Sequence, residues 1–63
     1  MIPVIVITKK PIKEKLKEQG MLVDKTNLYC IYWGNVKDKN IIENIRNIEE
    51  VEHIKEDYQR KMI

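Results

Sequence analysis

A run of seven residues near the N-terminus, Ile2-Pro3-Val4-Ile5-Val6-Ile7-Thr8, restricts the folds that this chain can adopt. The run is short and rich in β-branched side chains, which favours a strand over a helix. Side chains alternate between the two faces of a strand, and both sets here are apolar: Ile2, Val4 and Val6 on one face, Ile5 and Ile7 on the other. Such a strand belongs in a sheet that is covered on both faces.

The chain is short for a sheet that must be covered twice. A chain of 63 residues buries only roughly 60 % of its unfolded surface, and its core rarely supplies more than ~3–5 kcal/mol. Its single cysteine, Cys30, and single histidine, His53, exclude a disulfide framework and a metal cluster. We therefore expect a partner outside the chain to contribute to its stability. The net charge of +2 is too balanced to indicate a nucleic-acid partner.

The next segment, Lys9 to Gly20, predicts a first helix. Pro11 suits an early helical position, Ile12 and Leu16 lie four residues apart on one face, and Gly20 supplies a left-handed stop. The charged residues between them are predicted to face solvent.

Two further strands are predicted after this helix. The second begins at Met21 to Val23, and Asp24 to Asn27 is turn-like. The third spans Leu28 to Trp33 and is ended by Gly34-Asn35. Its two faces are again both apolar: Leu28, Cys30 and Tyr32 on one, Tyr29, Ile31 and Trp33 on the other.

A second helix and a fourth strand complete the pattern. Asp38 or Asn40 can cap the helix, and a fourth strand begins at Val51. The apolar residues of the helix have helical spacing: Ile41, Ile42, Ile45 and Ile48. The order β-α-β-β-α-β predicts an α+β, ferredoxin-like fold, with a four-stranded antiparallel sheet and both helices on one face.

This fold leaves one apolar sheet face without a cover. Two helices can cover only one face, yet the first and third strands are apolar on both. An uncovered patch of several hundred Å² marks a partner site more often than an accident. The predicted sheet docking face consists of Tyr29, Ile31, Trp33 and His53, although the pattern leaves open that the opposite face is the uncovered one. A specific protein partner is favoured, and two alternatives stay open: partly exposed aromatics on a small domain, or a symmetric dimer through the sheets.

The usual signatures of catalysis and cofactor binding are not found in the sequence. The two glycines, Gly20 and Gly34, stand alone and form no phosphate loop. A Cys30–His53 pair can act as nucleophile and base in principle, but Cys30 is predicted to lie mid-strand as a small core residue. The acidic residues have no metal-loop spacing. We therefore expect no catalytic residue, no cofactor and no metal.

The residues Val51-Glu52-His53-Ile54-Lys55-Glu56-Asp57-Tyr58 resemble the last-strand signature of subtilisin propeptides and related small protease inhibitors. The likeness extends over the chain. Val4-Ile5-Val6 is similar to the opening strand of that family, and the lysine-rich helix ending at Gly20 is similar to its first helix. The second helix leads directly into Val51, as it does in the family.

The resemblance implies a division of the chain into an inhibitor domain, residues 1–58, and a tail, residues 59–63. The sheet face would dock on two surface helices of a cognate subtilisin-like serine protease made in the same precursor. Glu56 and Asp57 would cap the N-termini of those helices. The tail would lie in the substrate cleft as a cleaved product: Gln59, Arg60, Lys61, Met62 and Ile63. The domain would act as intramolecular chaperone and inhibitor, with no catalytic residue of its own.

Two residues depart from the family pattern. Lys55 stands where the family usually has a capping acid, and Arg60 stands where it usually has an apolar side chain. The N-terminus also lacks the features of a signal peptide, and no stretch has the ~20 apolar residues of a membrane span. We therefore expect a cytoplasmic or spore-associated protein with no membrane partner.

The same fold is compatible with two other functions. The first is a free-standing ferredoxin-like module that binds RNA or a regulatory protein, with bases stacked on Tyr29, Tyr32 or Trp33. The second is an acylphosphatase-like enzyme, which needs a glycine-containing phosphate loop after the first strand. The loop here, Thr8-Lys9-Lys10-Pro11, has no glycine.

Overall fold

The computed structural model describes residues 1–28 and 30–58. Within these residues the elements follow the predicted order: β1 (Ile2–Thr8), α1 (Lys13–Glu18), β2 (Leu22–Asn27), β3 (Ile31–Val36), α2 (Lys39–Arg46) and β4 (Val51–Glu56). The four strands form one open antiparallel sheet in the order β2-β3-β1-β4. The predicted α+β, ferredoxin-like fold is confirmed.

Both helices cover the same face of the sheet, so the core lies between the helix layer and one set of strand residues. At its centre Val6 of β1 lies opposite Tyr32 of β3 and Ile54 of β4, and all three are buried. The buried apolar side chains form one cluster: Val4, Val6, Ile12, Leu16, Met21, Tyr32, Val36, Ile42, Ile45 and Ile54. Each element except β2 contributes to this cluster, and β2 packs Val23 against it.

The first helix is shorter than the predicted Lys9 to Gly20. Residues 8–10 form a turn instead, because Thr8 Oγ1 donates to the Lys10 carbonyl at 2.7 Å and Lys9 N–H donates to the Glu50 carbonyl at 2.8 Å. These bonds hold the chain against the α2–β4 connection before the helix begins at Lys13. The predicted left-handed stop is correct, since Gly20 has φ +102°.

A core tyrosine fixes the start of α1. The Ile12 backbone N–H donates to the Tyr32 hydroxyl at 3.2 Å, and Tyr32 is 1 % exposed. No side chain caps the helix locally, so this bond from β3 satisfies a donor that would otherwise lie buried without a partner.

The β2–β3 hairpin differs most from the prediction. The predicted turn at Asp24 to Asn27 is wrong, because β2 continues through it to Asn27, with a bulge between Val23 and Lys25. The turn follows instead, beginning at Leu28, which has φ 55° and is 80 % exposed. A bulge adds one residue to the strand and interrupts the alternation of apolar and polar residues, so periodicity does not show that β2 continues.

Gly34 lies inside β3, although it was predicted to end that strand. A Cβ atom built on Gly34 would lie 2.1 Å from the Leu22 carbonyl oxygen of β2. Glycine is needed here because the bulged strand approaches the backbone closely, not because the chain turns.

The second helix has the predicted cap and buried face but ends at Arg46, so the prediction that Ile48 belongs to it is wrong. Asp38 is the N-cap, and its Oδ1 accepts from the Ile41 N–H at 3.2 Å. Ile42 and Ile45 are buried in the core, with Ile41 and Ile48 packed beside them. At its last residue, Arg46 forms an ion pair with Glu43.

Candidate functional site

The helix-free face of the sheet has an apolar centre formed by the two middle strands. Ile5 of β1 lies opposite Trp33 of β3, and Ile7 lies opposite Ile31. All four side chains are half-buried, whereas Val4 and Val6 on the other face of β1 are fully buried. Cross-strand neighbours in an antiparallel pair share a face, so these four residues form one continuous patch.

Basic residues from the two edge strands flank this centre. Lys25 of β2 lies opposite Trp33, and its Nζ is 5.4 Å from the centroid of the indole ring. Lys55 of β4 lies opposite Ile5. One row of side chains therefore crosses all four strands: Lys25, Trp33, Ile5 and Lys55. His53 extends the basic margin on β4, where it lies opposite Ile7.

Acidic residues flank the same face near the end of β4. Asp57 directly follows that strand, and its backbone N–H donates to the Pro3 carbonyl at 2.8 Å. On the other edge, Asp24 Oδ2 accepts from the Asn35 side-chain amide at 3.0 Å, and Asn35 lies opposite Pro3. The β2 residue opposite Asn35 is the exposed Leu22, and the Asp24 carboxylate approaches this row from the bulge.

The predicted capping pair, Glu56 and Asp57, is divided between the two faces. The Asp57–Pro3 bond continues the pairing of β4 with β1 by one residue, so side chains still alternate there. Asp57 falls on the helix-free face with Lys55 and His53. Glu56 falls on the other side, where its carboxylate accepts from the Tyr58 hydroxyl at 2.5 Å. This bond raises the pKa of Tyr58.

The structure brings together three of the four residues of the predicted docking face. Ile31, Trp33 and His53 lie on the helix-free face, and Tyr29 lies outside the described residues, as does the predicted cleft-binding tail Gln59 to Ile63. The prediction missed residues of the same face: Ile5, Ile7, Asp24 and Lys25. The alternation of side chains along β1 could have identified the two isoleucines. Alternation could not have identified Asp24 and Lys25, because the bulge in β2 interrupts it.

The aromatic residues named for base stacking do not all lie on this face. Tyr32 is 1 % exposed in the core, so the predicted stacking on Tyr32 is wrong. In β3 the even-numbered residues face the core and the odd-numbered residues face away from it. The strand spans 31–36 instead of the predicted 28–33, but this change of bounds does not alter which residues share a face. Among the described aromatic residues, Trp33 belongs to the helix-free face.

Cys30 lies in the turn before β3, not in the middle of a strand as predicted. Its carbonyl accepts from the Thr8 N–H at 2.8 Å, and its N–H donates to the Asn27 carbonyl at 3.2 Å. These bonds give Cys30 a backbone role in closing the hairpin. In the part of the chain that the structure describes, no group of three or more His, Cys, Asp or Glu residues is arranged to hold a metal ion.

A second surface feature is a shallow polar cleft of about 200 Å³ between the β1–α1 and α2–β4 connections. It is lined by Lys9, Lys10, Glu49 and Glu50. Glu50 Oε2 accepts from Lys15 Nζ at 2.7 Å, a contact that lowers the pKa of Glu50 and raises that of Lys15. The charges at this cleft are therefore already paired within the chain. For that reason the helix-free face is the stronger candidate site.

Comparison with known proteins adds no relative to these observations. A scan against protein-family models, a search of the curated proteins and a search of the solved structures each gave no match for this chain. Among the described helices, none is long and apolar enough to cross a membrane.

Proposed function

We propose that this chain is a propeptide-like inhibitor of a subtilisin-like serine protease, which docks through its helix-free face and acts as chaperone and product-like inhibitor. The observation that carries the proposal is the half-buried apolar centre of that face, which neither described helix covers: Ile5, Ile7, Ile31 and Trp33. The order and spacing of motifs along the chain, given above, support the choice of protease.

The chemistry of the face suits a protein surface. Three of its four central side chains are isoleucine, which packs on apolar side chains but offers no ring for a base to stack on. An apolar centre inside a polar margin is also the usual arrangement of a protein interface. A protein partner thus accounts for more of this face than a nucleic acid does.

Asp57 is the better-placed anchor of the predicted capping pair. An anion is favoured at the N-terminus of a helix, where unpaired N–H groups converge. Asp57 lies on the docking side of the sheet, whereas Glu56 lies on the helix side and is bonded to Tyr58. We infer that Asp57 contacts the partner and that Glu56 contributes less.

The tail, residues 59–63, would continue from Asp57 into the substrate cleft. An extended segment can add to the strands that edge a cleft through main-chain hydrogen bonds, while side-chain pockets give selectivity. Ile63 would fill the pocket before the scissile bond, and Arg60 would require an acidic pocket in the protease. The partner's binding energy would add to the small stability of the isolated domain.

Inhibition assays with purified subtilisins test this proposal. The full chain is added to a panel of subtilisins beside two variants, one lacking Met62 and Ile63 and one carrying Trp33→Ala. The matched control is Leu28→Ala, which also removes an exposed apolar side chain, from the turn between β2 and β3. We expect inhibition by the full chain and the control, and at least about tenfold weaker inhibition by both variants. No inhibition by the full chain, or equal inhibition by all four, contradicts the proposal.

RNA binding through Trp33 is the second candidate, favoured by one observation. Lys25 lies over the Trp33 ring and Lys55 lies in the same row, so an aromatic group stands between two cations. This candidate predicts salt-sensitive binding of single-stranded RNA that Trp33→Ala abolishes. Fluorescence titration of Trp33 with an oligonucleotide at low and high salt distinguishes the two candidates.

A further inference from the structure

The charges on the helix-free face form two neighbouring rows of opposite sign. The row near the end of β4 carries Asp57 at one margin. At the other margin Leu22 lies opposite Asn35, and the Asp24 carboxylate, from the bulge beside it, accepts from the Asn35 amide. The next row carries Lys25 and Lys55 at the same two margins. The rows are two residues apart along the strands, which is about 7 Å.

We propose that this face also binds a second copy of this chain, stacked face to face about a two-fold axis that runs across the strands between the two rows. This rotation places each row of one copy over the other row of the second copy. The β2 edges of the two copies lie together, and so do the β4 edges. Asp57 of one copy then faces Lys55 of the other, and Asp24 faces Lys25. Each contact occurs twice, because a two-fold interface is isologous.

The same rotation matches the middle of the two faces. Pro3 of one copy comes over Ile5 of the other, since both lie on β1 two residues apart. Asn35 comes over Trp33 in the same way on β3. The arrangement covers Pro3, Ile5 and Trp33 and pairs opposite charges at both margins, as complementary interfaces do, while Ile7 and Ile31 lie beyond the overlap of the two strands.

The size of the face predicts a weak, reversible dimer. With the axis between these rows, four strands overlap over about four residues each, about 19 Å by about 13 Å, or on the order of 250 Å² for each copy. Two copies would bury about 500 Å², which is well below the ~1,200 Å² of stable complexes. Because the marginal charges are exposed, the association is expected to weaken as salt is added.

This inference goes beyond the proposed function and does not depend on it. A dimer that uses the helix-free face would cover the surface assigned to the protease. The dimer can nevertheless be tested on the chain alone, without a protease. A negative result in that experiment therefore leaves the protease proposal unaffected, and the reverse also holds.

Sedimentation equilibrium of the full chain tests the dimer, at concentrations from about 10 μM to about 1 mM, where a small interface of this kind is expected to dissociate. Lys55→Asp and Asp57→Lys, made separately, each place like charges together twice and are expected to raise Kd at least about tenfold. The double variant K55D/D57K exchanges the two charges and is expected to restore Kd to within about threefold of the original chain. Lys25→Glu tests the other margin.

The control is Lys13→Glu, an equal charge change on exposed helix α1, which should leave Kd unchanged. Circular dichroism of each variant verifies that it is folded. A chain that stays monomeric at about 1 mM overturns the proposal. So does a double variant that associates no better than the single ones, or a control that weakens the dimer as much as they do.

Discussion

The two faces of the sheet are built from the same kinds of residue but differ in how far their side chains are buried. On the face covered by the helices, the β1 residues Val4 and Val6 are 0 % exposed and belong to the core. On the helix-free face, their neighbours Ile5 and Ile7 are only half-buried and contact no helix layer. The comparison teaches that hydrophobicity alone does not identify the core of this chain. One face supports the fold, and the other is available for association.

The largest expected difference between the faces concerns Gly34 and its neighbour Asn35. Gly34→Ala places a Cβ atom 2.1 Å from the Leu22 carbonyl and separates β2 from β3, so we expect the fold to be lost, at a cost of more than about 3 kcal/mol. Asn35→Ala, on the helix-free face, should cost less than about 1 kcal/mol. Urea unfolding followed by circular dichroism measures both. A folded, cooperative Gly34→Ala variant would contradict the account of the bulge.

Truncations at adjacent positions of β1 compare the faces directly. Val6→Ala leaves a cavity in a closed core and is expected to cost about 2–3 kcal/mol. Ile7→Ala removes a larger side chain from the helix-free face, but is expected to cost less than about 1 kcal/mol because water reaches the site already. The midpoints of urea unfolding give the two values. Equal losses at the two positions would show that both faces are core.

Removal of one hydroxyl group gives a smaller contrast. Tyr32→Phe leaves the Ile12 N–H without its acceptor and is expected to cost about 1 kcal/mol. Trp33→Phe on the helix-free face keeps an aromatic ring and should change stability by about 0.5 kcal/mol or less. Thermal unfolding of the two variants tests this, together with hydrogen exchange at Ile12, which only Tyr32→Phe should accelerate.

The smallest expected effect concerns pH and lies outside both faces. The pKa of Glu50 is lowered by Lys15, so this pair contributes stability above the ordinary carboxyl pKa, and that contribution is lost as pH falls through the lowered value. Glu50→Gln should therefore reduce the loss of stability on acidification. The effect should be small, because the Lys15 and Glu50 side chains are both exposed to solvent. Unfolding midpoints at neutral and acidic pH measure the change. The Glu52→Gln variant on β4 removes an exposed carboxylate and serves as a control, and an equal effect there would contradict the assignment.

The sequence predicted the strand and helix order because each element is marked by local chemistry. β1 and α2 were the clearest, since their apolar residues have the period of a strand and of a helix, and Asp38 marks the start of α2. The limits of α1 were less predictable. Its start depends on Tyr32, which is twenty residues away in sequence, and no local pattern reports that contact.

The candidate site was predictable only in part, for a physical reason. Alternation places Ile31 and Trp33 on one face, but it does not say which face the helices cover. The bulge in β2 also hid the row of charges, because it adds one residue to the period and brings Lys25 opposite Trp33. The division between Glu56 and Asp57 depended on one backbone bond beyond the end of β4.

The central claim is that the helix-free face is where the protease binds. Methyl NMR of the isoleucine-labelled chain, titrated with a subtilisin whose catalytic serine has been blocked, tests it most directly, because isoleucines lie on both faces. The account predicts that signals of Ile5, Ile7 and Ile31 shift or broaden, while those of Ile42 and Ile45 change little. Changes confined to Ile42 and Ile45, or none at saturating protease, would contradict it.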